Sequence, residues 1–200
     1  MKNQIRPALT LFTMLTVLTG LAYPLLVTGI SQVAFPHQAN GSLIVRDSKT
    51  LGSELIGQNF SAPKYFWGRP SATATSPYNA AASGGSNLGP LNPAQKEAVE
   101  GRVKALREAD PSNTAPIPID LVTASASGLD PHISPAAAQW QASRIARVRG
   151  LNEAEVSTLI EQHTEKRQLG LLGEPRVNVL ALNMALDQVT HIGAYSAVQR

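Results

Sequence analysis

A chain of 200 residues with a formal net charge of +3 has too little basic excess, and that excess too dispersed, for a nucleic-acid partner. It has no cysteine, which excludes disulfides and thiolate chemistry and leaves stability to packing.

From Pro7 to about Val33 the chain is uncharged and largely apolar, preceded by Lys2 and Arg6. Roughly 20 apolar residues at about 1.5 Å each cross a bilayer core, so this stretch predicts one membrane helix. Both early cations precede it and the first acidic residue is Asp47, so the positive-inside tendency puts the N-terminus in the cytoplasm and everything after Val33 outside. The competing reading is a cleaved signal at Gly20-Leu21-Ala22. The run continues through Leu25, Leu26, Val27 and Ile30, longer than a signal needs, and favours a retained anchor. At about 100° per residue, Thr10, Thr13, Val17, Gly20, Pro24, Thr28 and Ser31 fall on one stripe, with the leucines largely elsewhere. Small and hydroxyl residues favour close helix packing in lipid, so the stripe is the candidate partner-helix surface.

About 165 residues follow, enough for one domain with its own core. Gly41 to Asp47 reads as a short strand. Tyr65-Phe66-Trp67 is an aromatic group between prolines, and 71–92, rich in Ser, Ala, Gly, Asn and Pro, reads as a long loop that is functional or disordered. Asn92, Pro93 and Gln95 start a helix with Val99, Val103 and Leu106 on one face and a Glu100–Lys104 pair on another, ending at Asp110-Pro111. Ile117, Ile119 and Leu121 alternate with Pro118 and Asp120 as an edge strand would. Ser134-Pro135 opens a second helix that stops at Gly150, with Arg144, Arg147 and Arg149 where cations suit the helix dipole. Asn152 and Glu155 cap a third, bearing Val156, Leu159, Ile160 and a half-buried packing His163. Residues 177–186 fit a strand passing into a helix, which periodicity alone does not settle.

The chemistry-bearing patterns are weak. Gly84 to Gly89 has phosphate-loop spacing but continues with Pro90-Leu91 where such a loop needs Lys and Ser or Thr. Ser61-Ala62-Pro63-Lys64 matches the Ser-x-x-Lys of anchored penicillin-binding enzymes, without their companion elements and with Pro63 badly placed. It carries the alternative reading, a membrane-anchored periplasmic serine hydrolase. Asp120, Ser125, Ser127, Asp130 and His132 hold the residue types of a triad without a nucleophile elbow, and read as turn formers. His37, His132, His163 and His191 lack metal-ligand spacing.

Gly52 to Gln58, Tyr65 to Ala72, Ser83 to Leu88, Asp120 to Asp130 and Val177 to Asn183, with Arg6 to Leu9 and Tyr23 to Leu26 in the anchor, closely resemble the C subunit of the bacterial Kdp-type potassium-transporting ATPases. The resemblance runs nearly end to end. It implies an accessory subunit of a four-subunit potassium importer, beside a channel-like potassium-binding subunit, a P-type ATPase subunit and a small peptide subunit. It further implies a catalytic chaperone that raises ATP affinity.

The expected architecture is α+β: a cytoplasmic stub over 1–6, a transmembrane helix over 7–33 and a single mixed extracytoplasmic domain over 34–200 at the bacterial inner membrane. The expected role is assembly and regulation without catalysis. No intrinsic cofactor or metal is expected, with ATP entering only through the complex, and the partners are the sister subunits and membrane lipid.

Overall fold

Pro24 has no N–H to give the carbonyl of Gly20, and its ring crowds that carbonyl, so an unbroken α-helix is disfavoured at this point. In the computed structural model the chain accommodates this with a π turn. Helix α1 (Lys2–Val17) passes through π-helical Leu18–Ala22 into α2 (Tyr23–Ala34), and the Tyr23 N–H reaches back to the Leu18 carbonyl. The structure describes residues 2–46 and 48–198, with side chains over 3–46 and 48–189. Asp47 at the end of the expected first strand and the side chain of His191 lie outside the described residues.

The stretch Asn3–Ala34 is 32 residues long, with mean hydropathy 1.8 in its most apolar window and none of that window buried within the chain. Its length of about 48 Å exceeds a bilayer core of about 30 Å. After α2 the chain closes on itself. In the short helix α3 (Pro36–Ala39) and the turn after it, the Asn40 amide donates to Gln32 Oε1 at 3.1 Å and to the Pro36 carbonyl at 2.7 Å. Strands β1 (Leu43–Arg46) and β2 (Lys49–Ser53) then form an antiparallel hairpin with a bulge after Ile44. Ser53 Oγ donates to the Gly41 carbonyl at 2.7 Å, closing the hairpin. The second arm was not legible in the sequence.

The chain forms two compact units, Met1–Ser53 and Glu54–Arg200, so the expected span 34–200 divides after the hairpin. In the second unit, helix α4 (Pro93–Ala109) is capped by Asn92, whose Oδ1 accepts from Ala94 N at 3.0 Å. Its exposed ion pairs are Lys96–Glu100 and Lys104–Glu108 at 3.8 and 3.9 Å, rather than the expected Glu100–Lys104. Helix α5 (Pro135–Arg149) starts at Ser134, whose Oγ accepts from Ala137 N, and stops at left-handed Gly150. Helix α6 (Glu153–Gln162) has the full Asn152/Glu155 capping box. His163 caps its end, half-buried, with Nδ1 at 2.9 Å from the Leu159 carbonyl.

A small antiparallel sheet places β5 (Arg176–Asn178) between β3 (His132–Ile133) and β4 (Thr164–Glu165). Its centre, Val177, is fully buried and lies opposite Ile133 and Thr164. Helix α7 (Val179–Val198) follows β5 directly, with Asn178 Oδ1 accepting from Ala181 N, so 177–186 is indeed strand then helix. The core gathers Phe66, Leu106, Leu121, Ile145, Val156, Ile160, Leu182 and Leu186 between α5, α6 and α7.

The expected edge strand at Ile117–Leu121 does not form. Pro116 and Pro118 remove ladder donors, and the chain turns into a 3-10 turn at Ile119–Leu121 that buries Leu121 and leaves Ile119 exposed. Asp120 accepts the Ser134 N–H at 2.7 Å, ahead of α5.

Candidate functional site

The membrane helix offers the first candidate surface. An α-helix bonds each N–H four residues back and a π turn five, so the segment above Ala22 is rotated by roughly one residue, about 100°, from a straight helix. The stripe therefore divides into a lower patch of Thr10, Thr13 and Val17 and an upper patch of Pro24, Thr28 and Ser31, with Gly20 inside the π turn. Thr10 Oγ1 donates to the Arg6 carbonyl at 3.0 Å, so its hydroxyl proton is used within the helix and its exposed methyl is available for packing. A side chain grown at Gly20 would meet nothing of this chain within 4 Å. Nothing within the chain therefore requires Gly20 for steric reasons.

In the domain, the chain turns over 62–65 and continues through Phe66 and Trp67 outside any strand, and side chains supply the backbone partners. Phe66 N donates to Asn183 Oδ1 at 2.8 Å, and Asn183 Nδ2 returns to the Phe66 carbonyl at 3.0 Å. Gln141 brackets Trp67 in the same way, at 2.8 and 3.1 Å. Arg144, 1 % exposed, donates to the carbonyls of Pro63 and Tyr65 and to Gln141 Oε1, and stacks 4.9 Å from the Trp67 ring. Burial pulls its guanidinium down to about 10, Asp110 acting upward and Arg147 downward. Arg149 donates to the Lys64 carbonyl and pairs with Asp187 at 2.8 Å, while Tyr65 Oη donates to the same carboxylate. Arg147 pairs with fully buried Asp110 at 2.8 Å. The three arginines of α5 are thus tertiary clamps, Arg147 and Arg149 acting from the last turn of the helix. Sequence reasoning missed Gln141 and Asn183, whose only signal was an amide amid apolar helix neighbours.

The loop over 71–92 is pinned rather than loose. Ser71 Oγ donates to the Gly128 carbonyl and accepts from Tyr78 N, and Gly84 N and Ser83 Oγ both donate to the Ser127 carbonyl. Tyr78 Oη donates to the Arg69 carbonyl at 2.6 Å. A Cβ at Gly57 would collide with the Tyr78 ring and come within 2.7 Å of the Asp130 carbonyl, so glycine is required there. Burial, with Asp130 adding and Arg69 opposing, raises the Tyr78 phenol to about 12.

Beneath this loop a cavity of about 380 Å³ is lined by Phe60, Trp67, Arg69, Tyr78, Arg102 and Leu121 among others, with no acidic residue in the lining. Arg102 donates to the Val122 carbonyl, and burial lowers its pKa. Arg69 pairs with Asp130 at 3.2 Å, and its Nε is buried without a hydrogen-bond partner. Burial works against ionised Asp130, but hydrogen bonds from the His132 side chain and backbone, then from Arg69, outweigh it and hold the carboxyl below its ordinary range.

The weak chemical patterns are not assembled among the described residues. Ser61 and Lys64 lie in a turn, not at a helix start, and Lys64 Nζ sits 5.1 Å over the Tyr65 ring. His132 faces Asp130 at 3.5 Å and Glu165 at 3.9 Å, while Ser127 Oγ accepts from Leu129 N and Ser125 is buried. Gly85 packs against the Ala126 backbone, where a Cβ would meet the carbonyl at 2.9 Å. That glycine serves loop packing.

A family model described as K+-transporting ATPase, c chain, matches residues 5–188. The chain belongs to the KdpC family. It is 66% identical over 194 residues to the potassium-transporting ATPase KdpC subunit of Polaromonas naphthalenivorans, covering 97% of this chain and 99% of that protein. It is 66% identical over 187 residues to the KdpC subunit of Variovorax paradoxus, covering 94% and 97%. The KdpC subunit of Dechloromonas aromatica is 64% identical over 190 residues, covering 95% of this chain and all of that protein. The KdpC family match takes in the membrane helix as well as the domain, so the anchor, the clamped aromatic segment and the pinned loop all fall within the shared architecture.

Proposed function

We propose that this chain is a non-catalytic accessory subunit of an ATP-driven potassium uptake complex, needed for assembly and acting as a catalytic chaperone that raises the ATP affinity of the P-type ATPase subunit. Its helix packs against the channel-like potassium-binding subunit, in a complex that also holds a small peptide subunit, with the N-terminus cytoplasmic and the domain periplasmic at the inner membrane. What supports the reading most is family membership extending through the anchor, together with an anchor of which nothing is buried within the chain. Any effect on ATP affinity is then linkage through packed subunits, because a domain outside the membrane does not touch a cytoplasmic nucleotide site. The test is potassium-stimulated ATP hydrolysis by the complex carrying only the helix of this subunit. The apparent ATP requirement should rise, and unchanged hydrolysis would overturn the regulatory role.

A second reading, direct binding of an anionic ligand, draws on the cavity where Arg69 and Arg102 meet apolar walls. Calorimetric titration of the purified full chain with ATP separates the two. The linkage account expects no saturable heat, whereas saturation sensitive to Arg69→Ala favours the second.

A further inference from the structure

Between β4 and β5 the chain makes a tight tip whose three leucines have no place in the core. Leu169, Leu171 and Leu172 are 91%, 80% and 60% exposed in a unit where most other large aliphatic side chains are buried or half-buried. The tip is not loose. Leu169, Gly170 and Gly173 take positive φ, and Gln168 N donates to the Leu172 carbonyl at 2.9 Å. Leu171 N and Leu172 N both return to the Gln168 carbonyl, and Gly170 N bonds the Arg167 carbonyl. Four backbone donors, those of Gln168, Gly170, Leu171 and Leu172, are therefore satisfied locally, which lowers the cost of entering a medium without water.

The charges flanking the tip are also largely neutralised at its base. Arg167 makes two contacts to the Glu174 carboxylate, at 2.6 and 2.8 Å, and Arg176 pairs with Glu165 at 2.9 Å. Exposed Lys166 remains at the rim, where a long side chain reaches headgroups while its stem lies along apolar surface. The tip carries none of the Trp, Tyr or Arg that anchor protein interfaces, where leucine is under-represented. An aliphatic surface with much of its backbone bonded locally fits acyl chains better.

The chain path from the membrane helix to the tip is short. Asn40 is bonded to Gln32 in the last turns of the membrane helix, Gly41 follows, and Ser53 is bonded back to Gly41. The next residue, Glu54, accepts from Asn178 Nδ2 at 2.8 Å. Asn178 ends β5, six residues from Leu172, which is about 20 Å of extended chain. A short tether of this kind raises the effective concentration of the tip at a lipid surface, so a small apolar surface suffices.

We propose that the 168–173 tip inserts its leucines at the boundary between headgroups and acyl chains, giving this subunit a second, shallow membrane contact beside its helix. The absence of cysteine makes the test direct. Gln168→Cys, next to intact leucines, and Glu97→Cys on α4 as a control are labelled with an environment-sensitive fluorophore. The full chain is reconstituted in vesicles of phosphatidylcholine and phosphatidylglycerol at three to one, and the assembled complex is reconstituted likewise. The label at 168 should be quenched by doxyl-labelled lipid at least several-fold more than the label at 97 in both preparations. Changing Leu169, Leu171 and Leu172 together to Ser should abolish the difference while the circular dichroism spectrum is unchanged. Quenching of the 168 label by aqueous iodide instead would overturn the proposal. So would shielding from both quenchers in the complex, which is the signature of a partner protein covering the tip.

Discussion

Two carboxamides hold Phe66 and Trp67 in place of a neighbouring strand, and the cost of losing either follows from what stays buried. Asn183→Leu leaves the Phe66 N–H and carbonyl without partners at a fully buried residue, and each orphaned group costs about 1–3 kcal/mol. Denaturant unfolding of the purified chain should show a loss of at least about 2 kcal/mol for Asn183→Leu, and a similar one for Gln141→Leu at Trp67. Asn183→Asp keeps the acceptor for Phe66 N but sets a buried carboxylate against the Phe66 carbonyl, so its loss at neutral pH should be no smaller. The acid range tests two other residues. Burial opposes ionisation of Asp110, but hydrogen bonds from Arg147 and Ser112 and the Arg147 charge prevail, so its carboxyl, like that of Asp130, lies below the ordinary range. Their stabilising contribution is present above the unfolded value of about 3.9 and is lost as pH falls through the lower folded value. Melting temperature should therefore begin to fall below about pH 4, and less steeply in Asp110→Asn than in the parent chain.

At the scale of an element, the π turn sets how the membrane helix presents itself. Gly20 sits where a side chain would touch nothing of the chain, so Gly20→Leu should leave helicity in detergent unchanged while blocking close approach of a neighbouring helix. Co-purification of the sister subunits should drop several-fold with Gly20→Leu and not with Leu18→Ile, and equal effects would remove the argument for a packing face. Pro24→Ala restores an N–H and removes the ring clash, which favours a continuous α-helix and rotates Thr28 and Ser31 by roughly one residue against Thr10 and Thr13. Assembly should weaken here as well, although the substitution raises helix propensity.

For the whole molecule, the decisive quantities are sidedness and coupling. Protease added outside spheroplasts should digest the chain beyond Phe35 and spare an N-terminal tag, as Lys2 and Arg6 lead one to expect. Protection of the domain would reverse the proposed topology. Because the effect on ATP is proposed as linkage, the domain should shift the apparent ATP requirement of the complex by a factor of order 5–150, the range of common coupling free energies.

The anchor, α4, α5 and α6 were legible because each rests on local chemistry: an uninterrupted apolar run, Asn92, Ser134 and Asn152 at helix starts, and Gly150 at a stop, whereas the strand-to-helix passage at 177–186 was open in the sequence and settled by pairing of β5. The family was legible too, through motifs spread along the chain. Tertiary structure decided everything that depends on a distant partner. Alternation at 117–121 resembled a strand, but no ladder could form through Pro118, and Asp120 serves Ser134 instead. Arg144, Arg147 and Arg149 looked like a helix-end cluster and became clamps on 63–65, Asp110 and Asp187, because α5 is buried and long side chains there must find acceptors. The stripe drawn at a constant 100° was divided by a π turn at a proline. Side-chain amides serving as a missing strand, and leucines left outside at a hairpin tip, follow from which surfaces meet in space, a relation that no periodicity along the chain encodes.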